Sequence, residues 1–301
     1  MLSFDIQRTE TTAALFDEHG TMRGLTRSPM PNTTSNVVGA TVDQVEALTQ
    51  RFSRDFPDVS PTAVGLIAPG IVDDDEGIAV LSADLRWANV PYRKLAEDRL
   101  RLPCSFSNDI RAAGAAEFEL GAARPFKNVV VLRLGARIAA SMYVHGQMYD
   151  GGGFAGGLGH SIVNPHGARC TCGSSGCLHT VASSGGLVER YAELTDSASD
   201  SVTSDEVLER ARNGDTAANT VWGNALDALA LVVSQISAVL APEAVIVGGG
   251  LAQADEEFFE PLHKRVNCLL SFHRRPLLLP PLLDRNAGLI GAALRARALA
   301  A

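Results

Sequence analysis

The chain has 301 residues, of which 46% are hydrophobic and 20% charged, and a formal net charge of −8. That length suits two lobes better than one small core, and the composition is that of an ordinary globular protein. No Lys/Arg run offers a basic face to nucleic acid, and no stretch approaches the roughly 18 uninterrupted apolar residues of a membrane span.

The opening "LSFDIQRTETTAALFDEHG" reads as an apolar run ending on Asp5, a polar turn and a second strand, so the chain starts with a β-hairpin. The turn holds Gln7, Arg8 and Glu10, where tight turns favour Gly or Asn. This start alternates like a strand and lacks a basic segment before a long apolar run. No signal peptide is therefore expected, and a cytoplasmic protein is. "TVDQVEALTQRFSRDF" has helical periodicity and leads into Pro57. "TAVGLIAPGIVD" is a buried strand followed by a Pro-Gly turn, and "YRKLAEDRLRL" is an amphipathic helix. "PCSFSND" is a short strand ending at Asn108 and Asp109, and "IRAAGAAEFELGAA" is an Ala-rich helix closed by Gly. "NVVVLRLGARIAASMYVHGQMY" is a second strand-turn-strand unit. After a Gly-, Cys- and Ser-rich loop region the chain turns helical, with "SDEVLERARNGD" and "TAANTVWGNALDALALVVSQISAVLAP". "EAVIVGGGLA" is a buried strand running into a glycine turn, and "EEFFEPLHKRVNCLL" and "AGLIGAALRARALA" are helices. Strands alternating with helices give an α/β class. Two hairpins of one kind suggest a duplicated architecture with a cleft between the halves.

Three of the five Cys, Cys170, Cys172 and Cys177, fall within "GHSIVNPHGARCTCGSSGCLH". A tight Cys cluster in a reduced compartment favours metal over disulfides. Three thiolates and one of His160, His166 or His179 complete a tetrahedral zinc site, and four protein ligands make it structural. Gly173 and Gly176 let the backbone wrap the metal. The lone Cys104 and Cys268 read as small core residues.

The motif H-x9-C-x-C-G-x-x-G-C-L, preceded by "GGGFAGGLGH", resembles the ROK family: repressors, open reading frames and sugar kinases of the actin-like ATPase (ribonuclease H-like) fold. The resemblance runs the length of the chain. "VGLIAPGIVD" resembles the strand and turn before the family's sugar-site loop, and "SADLRWANVPYRKL" its N-L-x-W segment. "FSNDIRAAGAAEFELG" resembles its V-x-N-D-A-N-A-A-A-x-G-E helix. "AVIVGGGLA", with Gly248, Gly249 and Gly250, resembles the adenosine-side turn, and "AGLIGAALRA" the closing helix.

The resemblance implies two actin-like lobes, residues 1–118 and 119–301. The second would carry the zinc loop (about 157–180) and a last helix packing back on the first. It implies ATP and sugar meeting in the cleft, a homodimer, and zinc held by His160, Cys170, Cys172 and Cys177. It implies that Asp109 takes the proton of a sugar hydroxyl attacking the γ-phosphate, with Mg²⁺ on the phosphates. Asp84, Asn108, Gly157, His160 and His179 would stand at sugar positions. The plain structural role for Asp109 is a helix N-cap.

Several positions depart from the family. Its first phosphate loop, D-I/L-G-G-T-K, is here Asp5-Ile6-Gln7-Arg8-Thr9-Glu10. Its second, L-G-T-G-I-G-x-G, is Leu134-Gly135-Ala136-Arg137-Ile138-Ala139-Ala140-Ser141. Glycines let backbone N–H groups approach phosphate without a Cβ in the way. Side chains held in such loops are expected to cost about 1–3 kcal/mol of strain each, and Glu10 would repel a triphosphate. On the sugar side, two Glu positions hold Gly157 and His179, and the Asn of N-L-x-W is Asp84. Losing two carboxylates weakens a hexose by about 3–6 kcal/mol, roughly 10² to 10⁴-fold, part of which His179 is expected to recover.

The expected function is therefore binding of a sugar or sugar phosphate with weak or no kinase activity. Arg8 and Arg137 would either hold a small anion bidentately or pair with Glu10 or Asp5 and plug the cleft. A second expectation is an active kinase using ATP and Mg²⁺ on a hexose or N-acyl amino sugar, with Asp109 as base. A third is regulation through a partner protein, because the chain begins at its first strand with no DNA-binding module before it.

Overall fold

The structure, a computed structural model, describes residues 1–33, 36–252 and 255–300. Its contacts fall into two units: Met1–Glu119 with Gly151–Phe154 and Arg285–Ala301, and Leu120–Asp150 with Ala155–Asp284.

The first unit runs β1 (Leu2–Ile6), β2 (Glu10–Phe16), β3 (Met22–Pro29), α1 (Val37–Asp55), β4 (Val64–Ala68), β5 (Ile71–Asp73), β6 (Ile78–Ser82), β7 (Trp87–Val90), α2 (Tyr92–Leu100), β8 (Cys104–Asn108) and α3 (Asp109–Leu120). The second runs β9 (Val129–Leu134), β10 (Ile138–Val144), β11 (Gln147–Tyr149), α4 (His179–Ala182), α5 (Ser184–Thr195), α6 (Ser204–Arg212), α7 (Thr216–Leu240), β12 (Ala244–Gly248), α8 (Asp255–Leu269) and β13 (Leu277–Leu279). The last helix, α9 (Ala287–Ala300), packs on β1, β4 and β8 and so belongs to the first unit.

The main sheets are ordered β3-β2-β1-β4-β8 and β11-β10-β9-β12-β13. In each, three antiparallel strands lead into two parallel ones. The duplication read from the two hairpins is thus a shared strand order. The central strand β4 is buried along its whole length, as expected of a parallel strand covered by helices, and on β1 Leu2, Phe4 and Ile6 fill one face while Ser3 and Asp5 stand on the other.

The helix α7 is long and apolar enough to cross a membrane by length and composition, yet half of that window is buried. Leu226, Leu229 and Val233 join Val245, Val247, Phe258 and Leu262 in the second unit's core. The small sheet β5-β6-β7 went unread in the sequence because its strands have only three to five residues. It is anchored by Trp87, stacked on Tyr92 at 4.6 Å between ring centroids.

Candidate functional site

The strand β1 delivers Asp5, and the β1–β2 turn delivers Gln7, Arg8 and Thr9. The helix α3 starts at Asp109, directly after β8. Asn108, not Asp109, caps that helix: its Oδ1 accepts the backbone N–H groups of Ile110 and Arg111 at 3.0 and 3.1 Å. The Asn108 amide donates to Gly70 O at 2.9 Å. Asp109 is therefore the first helical residue, 2% exposed, and its Oδ1 accepts the Ile110 N–H at 3.0 Å. The other oxygen meets Gln7. Gln7 Nε2 donates to Asp5 Oδ1 at 2.6 Å and to Asp109 Oδ2 at 3.1 Å. An amide nitrogen carries two hydrogens, so one is available for each carboxylate. Asp5 Oδ2 also lies near the first turn of α9, 3.9 Å from where a Cβ on Gly288 would stand, and a helix N-terminus favours negative charge.

Two expectations for this turn are corrected. Neither turn carries a non-glycine residue with positive φ, so the expected strain is absent. The first turn is closed by Gln7 N–H on Glu10 O and flanked by Met30 N–H on Thr9 O, both at 2.9 Å, and backbone with negative φ accommodates its side chains. Nor does Arg8 pair with Glu10 or Asp5. It is exposed and has no hydrogen-bond or ion-pair partner among the described residues, while Glu10 lies 3.9 Å from Arg27 Nε.

In the second hairpin Leu134 pairs with Ile138, leaving Gly135, Ala136 and the half-buried Arg137 as the turn. Its carbonyls are fastened from one side. Ser184 N–H donates to Gly135 O at 3.0 Å, and His179 Nε2 lies 2.9 Å from Ala136 O. A carbonyl only accepts, so Nε2 carries the proton. Burial is the main influence on His179 and lowers its pKa, which keeps the ring neutral at pH 7. The residue expected to replace a sugar-binding Glu thus has a backbone partner. Gly249, after β12, is a glycine of necessity: φ is +104°, and a Cβ would stand 2.0 Å from Leu134 O. Gly248 packs on Pro281, while Gly157 and Gly250 face open space. Asp84 is exposed in the β6–β7 turn.

His160, Cys170, Cys172 and Cys177 bring one ligand atom each to within 4.8 Å of one another. His160 Nδ1 lies 3.7 Å from Cys170 Sγ, and Cys172 Sγ lies 3.6 Å from Cys177 Sγ. Bonds of about 2.3 Å from a tetrahedral zinc to sulfur imply ligand separations of about 3.8 Å, so the group fits that ion. His166 is exposed and outside it. The loop closes through the bridges Ile162–Cys177 and Arg169–Ser175. Gly176 allows the closure, since a Cβ there would stand 1.5 Å from Asn164 O. Burial pushes the Cys177 thiol up to about 12.

Sequence reasoning missed one buried charge network. Asp74 accepts Arg111 Nη2 at 2.5 Å, Ser107 Oγ at 2.6 Å and Arg295 Nη2 at 3.0 Å. Arg111 Nη2 also donates to Val72 O at 2.6 Å. These bonds tie the end of β5, the start of α3 and α9 together and so fix the backbone around Asn108 and Asp109. The available signal was an Arg inside an Ala-rich helix.

Comparison with known proteins gives a consistent picture. The model of the family described as the ROK family matches residues 1–298. A glucokinase from Thermotoga maritima is 32% identical over 245 residues, 76% of this chain and 77% of that protein. The N-acetylglucosamine repressor of Escherichia coli is 24% identical over 97% of this chain and 74% of the repressor. A crystal structure of a ROK family glucokinase from Streptomyces griseus in complex with glucose and AMPPNP superposes with a TM-score of 0.81 at 27% identity, covering 99% of each chain.

Proposed function

The chain belongs to the ROK family, and from that premise we propose that it binds a sugar or sugar phosphate and transfers phosphate weakly or not at all. The observation that carries this reading is the double hydrogen bond of Gln7 to Asp5 and Asp109. A carboxylate has about four acceptor positions, and a general base must turn one of them to the substrate hydroxyl. Here the Ile110 N–H takes a position at Asp109 Oδ1 and the Gln7 amide one at Oδ2, so a substrate hydroxyl competes with Gln7 for the side of Asp109 that faces the β1–β2 turn. Asp5, retained at its family position, is held by the same nitrogen. A glycine at position 7 would have no side chain to do this. Glu10 adds negative charge beside the turn, which disfavours a triphosphate. These residues fit Mg-ATP poorly. The His160, Cys170, Cys172 and Cys177 group would hold zinc, which supplies a structural cross-link when bound.

Asn108 and Asp109 are the residues of the first unit proposed to meet the sugar. Glucose, present in the S. griseus complex, is the first ligand to try. A thermal-shift panel tests the reading: a sugar or sugar phosphate should raise the melting temperature, and Mg-ATP should not. A response to Mg-ATP with none to any sugar would overturn it.

The second reading is an active sugar kinase with Asp109 as base. It is favoured by the unstrained turns, which make the lost glycines cheaper than the sequence implies. A cytoplasmic homodimer is also proposed, for which light scattering gives the mass.

A further inference from the structure

We infer that His179 couples the zinc group to the second hairpin turn, so that metal occupancy sets how firmly residues 135–137 are held. The inference rests on the reading that His160, Cys170, Cys172 and Cys177 bind zinc. His179 is built on two of those four ligands. It follows Cys177 by two residues, and the short helix it opens is fastened to that ligand: Thr180 N–H and Thr180 Oγ1 both donate to Cys177 O, at 3.0 and 2.8 Å. Its ring stacks on His160, with centroids 5.8 Å apart and planes 29° from parallel.

From that position His179 Nε2–H reaches Ala136 O at 2.9 Å. Ser183 Oγ donates back to His179 O at 2.6 Å, and the next residue, Ser184, sends its N–H to Gly135 O at 3.0 Å. The carbonyls of Gly135 and Ala136 are thus both fixed to one short segment anchored at the metal group. In a trans peptide the N–H points opposite to the preceding C=O. Fixing the carbonyls of Gly135 and Ala136 therefore orients the N–H groups of Ala136 and Arg137 away from that segment. The tie needs a donor. The Glu that the ROK resemblance puts at position 179 would be an ionised carboxylate, an acceptor only, and could not make it. His179 is a positioning residue acting through the turn.

Hydrogen exchange read by mass spectrometry tests this without recourse to activity. Peptides spanning 134–141, whose ladder amides bracket the turn, and 180–187, which hold the Ser184 N–H bonded to Gly135 O, are followed in the zinc-loaded chain and after chelation, with zinc content measured separately by elemental analysis. Peptides from 216–240 report whether the core stays folded. In the unsubstituted chain, chelation should speed exchange of the turn by about 3- to 10-fold, the worth of one hydrogen bond. His179→Gln keeps an N–H donor and should keep that response. His179→Glu should retain zinc yet show fast exchange in both states. A turn indifferent to proven loss of zinc overturns the coupling, as does metal-dependent protection persisting in His179→Glu. A chain that takes up no zinc overturns the zinc reading itself, and the coupling with it.

Discussion

Replacing Gln7 by Gly removes a side chain that bonds Asp5 and Asp109 together. Each bond from the amide to a charged oxygen is worth about 1.5–3 kcal/mol. Gln7 and Asp5 are both only partly buried, and water recovers much of what they lose, so the net cost is nearer one such bond, about 1.5–3 kcal/mol. Glycine adds about 0.5–1 kcal/mol of backbone entropy, and Gln7→Ala separates the two effects. At about 2–4 °C per kcal/mol for a chain of this class, the melting temperature should fall by several degrees. The same change removes one donor from each of two neighbouring carboxylates and so opens an acceptor position on each to a divalent cation. A ligand at one hundred times its Kd returns about 2.7 kcal/mol. Differential scanning fluorimetry with Mg-ATP should therefore show a concentration-dependent rise for Gln7→Gly and Gln7→Ala and none for the unsubstituted chain. The reasoning is refuted if Mg-ATP stabilises the unsubstituted chain as much as the variants, or if the variants remain indifferent to it.

Other substitutions probe separate parts of the account. Gly157 faces open space with a negative φ, so Gly157→Glu should fold with stability within about 1 kcal/mol. Titration calorimetry should find hexose bound about 10-fold more tightly or better, through the restored charged hydrogen bond. Asp74→Ala strands the guanidinium of Arg111, which is 3% exposed, and should cost about 3–5 kcal/mol, read as a lower urea midpoint. Burial, with Glu97 second, pushes the Cys104 thiol from 9.0 up to about 12. At pH 8 its thiolate fraction is about 10⁻⁴, so iodoacetamide should label the exposed Cys268 and reach Cys104 only after denaturation. Because the folded state holds that proton more tightly, this group's contribution to stability is full below pH 9 and is lost as pH rises toward 12.

Local signals carried most of the architecture. The apolar run of Ala13 to Phe16 marks β2, the spacing from His160 to Cys177 marks the His/Cys cluster, and the polar pair Asn108–Asp109 marks the start of α3. Contacts between distant residues were out of reach. Gln7 and Asp109 are 102 positions apart, and nothing in the turn's composition says where its amide points. The Asp74 network joins residues 74, 107, 111 and 295, which no periodicity relates. The strain expected in the turns was a misjudgement of conformation: missing glycines signal strain only if the backbone keeps positive φ, and here it does not. Asn108 takes the cap because, as the last residue of β8 directly before α3, it places Oδ1 on the N–H groups of Ile110 and Arg111.

The most direct test of the central claim is ADP release by the zinc-loaded chain in Mg-ATP across common hexoses, N-acyl amino sugars and their phosphates. The account predicts turnover at or near background, unchanged by Asp109→Asn. Sugar-dependent turnover that Asp109→Asn abolishes would contradict it and establish the chain as a working kinase.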